Sequence, residues 1–320
     1  MNDDAPFAAR PVDAVVARVK KVYRSWGRAT TVAQMRADWD ALFGVDDVPA
    51  AVEPVLAGGV PGQWVTSPGA DAGKVLLYLH GGGFQVGSSR SHLELMACIS
   101  AAAGCRVLGL DYRLAPEHRF PAALGDACAA CEWLFSQGFD AADIALGGDS
   151  AGGGLALSTL LARRSAGQAL PAAVVLMSAW TDLTASGESY DSGAASDPIH
   201  QRPMILAMAR NYLGPHGDAH DPLASPLFAD LHGLPPMLIQ VGAGETVRSD
   251  STLFADKARA TGVDVELEVW DEMLHVFQQF PRELDEARAA LQSIGRFLRL
   301  HLRPNPSADA PVSPPITRGP

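Results

Sequence analysis

The sequence predicts an α/β protein with a mostly parallel, twisted sheet, helices on both faces and a helical cap. Short apolar runs recur at 75–79, 106–111, 143–148, 173–178, 236–241 and 265–270, with helix-compatible stretches between them. Unbroken apolar runs of that length suit strands buried on both faces, and regular strand–helix alternation makes such strands parallel. Glycine-rich turns directly follow two of the runs, His80-Gly81-Gly82-Gly83-Phe84 after the first and Gly148-Asp149-Ser150-Ala151-Gly152 after the third. Finally, 320 residues at 48% hydrophobic and 19% charged fit one large domain with a small addition rather than two independent domains.

Residues 12–26 place Val15, Val19, Val22 and Trp26 on one helical stripe. A second stripe holds Val32, Met35, Trp39 and Leu42, with Thr30 or Thr31 as its N-cap. Residues 1–45 therefore read as two short amphipathic helices ahead of the first sheet strand. The rival reading is a membrane-surface anchor built on Arg18, Lys20, Lys21 and Arg24. It is the weaker one, because aromatic residues at helical spacing usually pack on their own molecule. Between 45 and 73 the chain is rich in Pro and Gly and reads as irregular or as short edge strands.

The catalytic domain is expected over 46–302, with a cap insertion at about 183–215. There the polar stretch Ser186–His200 leaves the sheet and Met204, Ile205, Met208 and Tyr212 mark a helix. Residues 303–320 are proline-rich and expected to lack fixed structure.

A net charge of −11 without clustering disfavours nucleic acid and anionic membranes as partners. No run of about 18 apolar residues suggests an integral membrane segment. The start, Met1-Asn2-Asp3-Asp4, has no apolar signal core, so a cytoplasmic location is expected. Of the cysteines Cys98, Cys105, Cys128 and Cys131, the last two have Cys-x-x-Cys spacing within a helical stretch. No second pair or histidine cluster at zinc spacing accompanies them, so they read as buried small hydrophobes and no metal is expected.

The chemistry-bearing pattern is Gly-x-Ser-x-Gly in strand–turn–helix context. Ser150 follows the run Asp143–Gly147, and its small neighbours let two chain segments pass closely while the hydroxyl is held out. The glycines after His80 let backbone N–H groups turn toward a ligand. Gly82, Gly83 and Ala151 are the expected donors to a developing oxyanion. A Walker-type phosphate loop would need Gly-Lys-Ser/Thr, which is absent. Downstream, Glu245 lies just past the run 236–241, and His275 lies just past 265–270. The order Ser, acid, His, with each residue near the C-terminal end of a parallel strand, brings the three side chains to one edge of the sheet.

The segments His80–Phe84, Asp111–His118, Gly148–Gly153 and Glu272–Phe277 together resemble the hormone-sensitive-lipase-like, bacterial type IV carboxylesterases of the α/β-hydrolase superfamily. The Gly-Asp-Ser-Ala-Gly form places the resemblance in the subgroup of that name. It covers about residues 75–300 and implies a serine esterase for short- to medium-chain acyl esters, needing no cofactor, with residues 1–45 as the N-terminal part of a cap. It also implies Ser150 as nucleophile and His275 as general base and then acid. Most relatives have aspartate as the third member, and Glu245 stands in the matching place. Asp250, which otherwise reads as a helix N-cap, and Asp271 are the alternatives.

Asp111, Tyr112, Arg113 and Glu117 are expected to brace the oxyanion loop, with Arg113 and Glu117 as partners, and His80 to brace it rather than act as a second base. The family's dimers suggest a homodimer. An amidase or carbamate hydrolase with the same triad, or a non-catalytic small-molecule receptor, remain the alternative functions, since leaving-group choice lies in pocket shape.

Overall fold

A computed structural model describes residues 10–303 except 28 and 198. The proline-rich tail from 304 onward lies outside the described residues. Eight strands form one sheet: β1 (Ala51–Ala57), β2 (Val60–Thr66), β3 (Asp71–Leu79), β4 (Cys105–Leu110), β5 (Ile144–Asp149), β6 (Ala173–Met177), β7 (Met237–Gly242) and β8 (Val265–Trp270). Their spatial order is β1-β2-β4-β3-β5-β6-β7-β8. β1 and β2 pair antiparallel, β2 joins β4 antiparallel, and every pairing from β4 to β8 is parallel. The stretch expected as irregular or short edge strands is thus an ordered hairpin. Its outer strand β1 is the exposed edge, while β2 lies inside the sheet between β1 and β4.

The helices among the described residues are α1 (Pro11–Ser25), α2 (Val32–Phe43), α3 (Leu93–Ala103), α4 (Ala122–Ser136), α5 (Ser150–Ser165), the single turn α6 (Ser189–Ser192), α7 (Arg202–Leu213), α8 (Arg248–Ala260) and α9 (Asp285–His301). Strand periodicity divides the core between two layers. On β3, Leu77 and Leu79 face a cluster with Leu134, Leu157 and Phe254 from α4, α5 and α8. Their neighbours Leu76 and Tyr78 face Met96, Ile99, Ile294 and Leu298 from α3 and α9. Both faces of the central strands are therefore dry, which is why those strands read as continuous apolar runs.

The two N-terminal helices form where the stripes place them. α1 has Pro11 in its first turn, where a missing N–H costs nothing, and buries Val12, Val15 and Val19. These three join Met273, Leu274, Phe277 and Phe280 in a third cluster beneath α1. α2 is capped by Thr31, whose hydroxyl accepts the Gln34 N–H at 3.2 Å. Thr30 instead accepts from Gly27.

Candidate active site

All the parallel strands end at one edge of the sheet, and the predicted site residues gather there. β5 runs without a break into α5 at Ser150, which takes a left-handed φ of +50°. That turn is possible only because nothing larger than hydrogen fits beside it. A Cβ on Gly148 or Gly152 would strike the Leu79 carbonyl oxygen. The strained backbone holds the Ser150 side chain at the start of the helix rather than within either element.

Gly82 and Gly83 follow β3 with φ of +112° and +61°. Among the described residues, neither of their N–H groups has a hydrogen-bond acceptor within the protein. The Ala151 N–H lies in the first turn of α5, where no intrahelical partner exists. Gly82, Gly83, Ser150 and His275 line one cleft.

The loop carrying the glycines is held by Asp149. Its Oδ1 accepts the Tyr78 hydroxyl at 2.6 Å and the Gly81 N–H at 2.9 Å, and His92 Nε2 lies 3.3 Å away. Burial pushes the Asp149 carboxyl upward, but the adjacent His92, with Tyr78 and His80, holds it below the usual range. His80 is buried and stacks on Tyr112 at 4.3 Å, and its Nδ1 bonds the Gly81 carbonyl at 2.7 Å. Burial, and then the neighbouring His92, lowers its pKa to about 4. It braces the loop as a neutral ring. Asp111 accepts both the N–H and the hydroxyl of Ser89, at 2.6 and 2.9 Å.

The expected Arg113–Glu117 pair does not form. Arg113 instead grips Asp126 of α4, and Glu117 takes Arg36 of α2 at 2.7 Å. Adjacency along the chain suggested the first pairing, but the turn between the two residues sends their side chains to different helices.

Glu245 follows β7 and is buried. Its Oε2 lies 2.7 Å from His275 Nδ1, while Oε1 accepts from the Gly242 N–H at 2.6 Å and the Ser178 hydroxyl at 2.8 Å. Burial alone would lower the His275 pKa, but the Glu245 carboxylate reverses the balance and raises it above its ordinary value. Ser178, at the end of β6 with φ of +48°, also accepts the Val276 N–H at 3.1 Å, so one hydroxyl ties the acid loop to the histidine loop. Sequence reading missed it. The available signal was its place directly after a parallel strand, on the edge where the other site residues lie.

Neither alternative acid reaches His275. Asp250 is not an N-cap; it sits inside the first turn of α8, and its Oδ2 accepts the N–H groups of Thr181 and Asp182, both at 2.9 Å. Burial, and then the Asp182 charge, raises its pKa to about 8. Asp271 is exposed at the surface.

Above the cleft stand Val19, Tyr23 and Trp26 from α1 and its end, Met35, Trp39 and Phe43 from α2, and Ile205 and Met208 from α7. These segments are anchored on the glycine loop. Phe84 stacks on Tyr212 at 3.7 Å, Asn211 donates to Gln85 Oε1 at 2.7 Å, and Arg36 Nε donates to the Gln85 carbonyl at 2.8 Å. No group of three side chains with metal-ligand chemistry occurs among the described residues, and no helix among them is long and apolar enough to cross a membrane.

A glycine-flanked serine at positive φ in the turn from β5 to α5, lining one cleft with a carboxylate-paired histidine, fits one fold family. Residues 76–279 match the family described as alpha/beta hydrolase fold. The chain also superposes on an esterase of the bacterial hormone-sensitive lipase family, with a TM-score of 0.89, 44% identity, and 92% of this chain and 99% of that one covered. The chain belongs to the hormone-sensitive-lipase-like α/β hydrolases. The structure of an esterase/lipase from an uncultured bacterium matches this hydrolase with a TM-score of 0.84 at 40% identity, covering 90% of this chain and 98% of that one. By sequence the hydrolase is 43% identical over 245 residues to an acetyl-hydrolase of Streptomyces hygroscopicus, covering 77% of this chain and 81% of the relative. It is 35% identical over 246 residues to an esterase of Acinetobacter venetianus, with the same two coverages.

Proposed function

We propose that the protein is a serine carboxylesterase for short- to medium-chain acyl esters, with Ser150 as nucleophile, His275 as base and then acid, and Glu245 as the triad acid. The observation that carries this reading is the 2.7 Å contact of Glu245 Oε2 with His275 Nδ1, in a cleft His275 shares with the strained Ser150. The carboxylate favours a proton on Nδ1, which leaves Nε2 as the acceptor for the Ser150 hydroxyl proton. As Ser150 Oγ attacks the carbonyl carbon, the oxyanion is taken by the N–H groups of Gly82, Gly83 and Ala151. His275 then passes the proton to the departing alcohol. Water repeats the sequence to free the acid from Ser150.

The names of the relatives, acetyl-hydrolase and esterase, support ester rather than amide chemistry. The bulky wall of Trp39, Phe43 and Trp180 supports a modest acyl length. In this reading residues 10–45 and 183–215 act together as the cap. A cytoplasmic setting is part of the reading, supported by four unpaired thiols. So is a homodimer, supported by apolar exposure on β8 and α9, where Val269 is 45% and Leu300 72% accessible.

The test is hydrolysis of p-nitrophenyl esters from acetate to dodecanoate. Activity should peak at short chains, and Ser150→Ala should lower it on the order of 10⁶-fold. A folded wild type no faster than the variant on every ester would overturn the reading.

A further inference from the structure

Ser178 occupies a place that glycine would fill with less strain. It directly follows β6, is fully buried, and has a φ of +48°, where side chains are disfavoured. Its own N–H donates to the Gln240 carbonyl of β7 at 2.7 Å, so the residue is pinned to the sheet. Serine in this conformation costs more than glycine, and what it adds in return is the hydroxyl.

That hydroxyl makes two bonds, one to each of the loops that carry the acid and the histidine. It donates to Glu245 Oε1 at 2.8 Å and accepts the Val276 N–H at 3.1 Å. On the acid side, the carboxylate of a glutamate sits at the end of three side-chain torsions, and hydrogen bonds must aim it. The Gly242 N–H at 2.6 Å and the Ser178 hydroxyl hold Oε1, which leaves Oε2 for His275 Nδ1 at 2.7 Å. On the histidine side, Val276 is β-branched at a φ of +52°, a conformation that persists only where its surroundings enforce it. The bond from its N–H to Ser178 is one such restraint, a single residue away from His275. Ser178 does not itself line the cleft, so it acts on the chemistry only through these two neighbours.

We infer that Ser178 is a positioning residue for the triad, whose hydroxyl fixes the Glu245 carboxylate and the His275 loop relative to each other from a point anchored on the sheet. This inference rests on the esterase reading above. A serine that only completes buried hydrogen bonding would affect stability and leave the Glu245–His275 contact as it is.

The experiment measures kcat, KM and the pH profile on p-nitrophenyl butyrate for Ser178→Ala, alone and combined with Glu245→Gln. Ser178→Ala should lower kcat on the order of 10- to 100-fold, with KM within about twofold of the wild type. The pH profile should move as well. Burial lowers the His275 pKa, and Glu245, then Asp197 and Asp149, raise it above its ordinary value. The His200 ring packed on His275 is neutral, because burial lowers its pKa to about 3. With Asp197, Asp149 and His200 unchanged, a looser Glu245 contact should bring the kcat inflection down toward that of Glu245→Gln. Residues that act through one contact are not additive, so Ser178→Ala should cost less in the Glu245→Gln background than in the wild type. A kcat close to that of the wild type overturns the inference. So does an inflection that stays or rises, or a loss as large in the Glu245→Gln background as in the wild type. If Ser178→Ala fails to fold, Ser178→Gly, which relieves the positive φ, takes its place: the same loss in kcat supports the inference, and a kcat equal to that of the wild type overturns it. Failure of the esterase reading would show separately, as hydrolysis by the wild type no faster than by Ser150→Ala.

Discussion

The sheet edge and the cap hold their parts of the site in different ways. At the sheet edge each proposed reacting group follows a strand, and backbone conformation or buried hydrogen bonds fix it: Ser150 by its positive φ, Glu245 by Gly242 and Ser178, the glycine loop by Asp149. The cap has no strand beneath it. It is held by aromatic contacts among Tyr23, Trp26, Trp39 and Phe43, by the stack of Tyr212 on Phe84, by the apolar cluster beneath α1, and by side chains that reach across, Arg10 to Glu272, Arg18 to Glu283, Arg36 to Glu117 and Asn211 to Gln85. Chemistry thus rests on the rigid layer, and substrate choice on the layer that can vary without moving the reacting atoms.

The contrast is tested most severely at the triad acid. Glu245→Gln should lower kcat by about 10⁴, the scale seen when a triad loses the acid that holds the histidine tautomer, while Asp250→Asn should leave kcat close to that of the wild type. Because Glu245 raises the His275 pKa and catalysis needs the neutral ring, the wild-type rate should climb with pH through an inflection above 6.5. In Glu245→Gln the inflection should move down. A larger loss in Asp250→Asn than in Glu245→Gln, with the fold intact by circular dichroism, would reassign the acid.

One step weaker is Gly83→Ala. Its Cβ would stand 2.6 Å from Met208 Sδ, at a φ that L-residues avoid, and turn one oxyanion donor away. A loss of about 10²–10³ in kcat is expected, read on p-nitrophenyl butyrate.

The smallest effect belongs to the cap. Arg36→Met removes hydrogen bonds to the Gln85 and Ala115 carbonyls and a half-exposed ion pair with Glu117. It should cost about 1–2 kcal/mol, measured by urea unfolding. A kcat loss as large as that of Gly83→Ala would show the two layers to be less separable than the contrast holds.

The same division explains what could be read from the sequence. Strand runs, the elbow at Ser150 and the glycines after His80 are local patterns, each set by its neighbours along the chain. Glu245 and His275 follow strands that end on one side of the sheet, and the preference for Glu245 over Asp250 and Asp271 came from the family resemblance. The partners of Arg113 and Glu117 were not legible, because Asp126 and Arg36 are brought to them by two different helices. Ser178 was hidden for the same reason: its importance lies in the loops of β7 and β8 that it joins.

Arg36 has one more consequence. It comes from the second helix of the chain, yet it donates to the Gln85 carbonyl, just past the glycine loop, and to the carbonyl of Ala115, whose own N–H bonds Phe84. The cap is therefore not an interchangeable module set over a finished catalytic core. A chimera that borrows the first two helices of a relative would have to bring an equivalent cation at this position, or those helices would sit less firmly on the segment after the glycine loop.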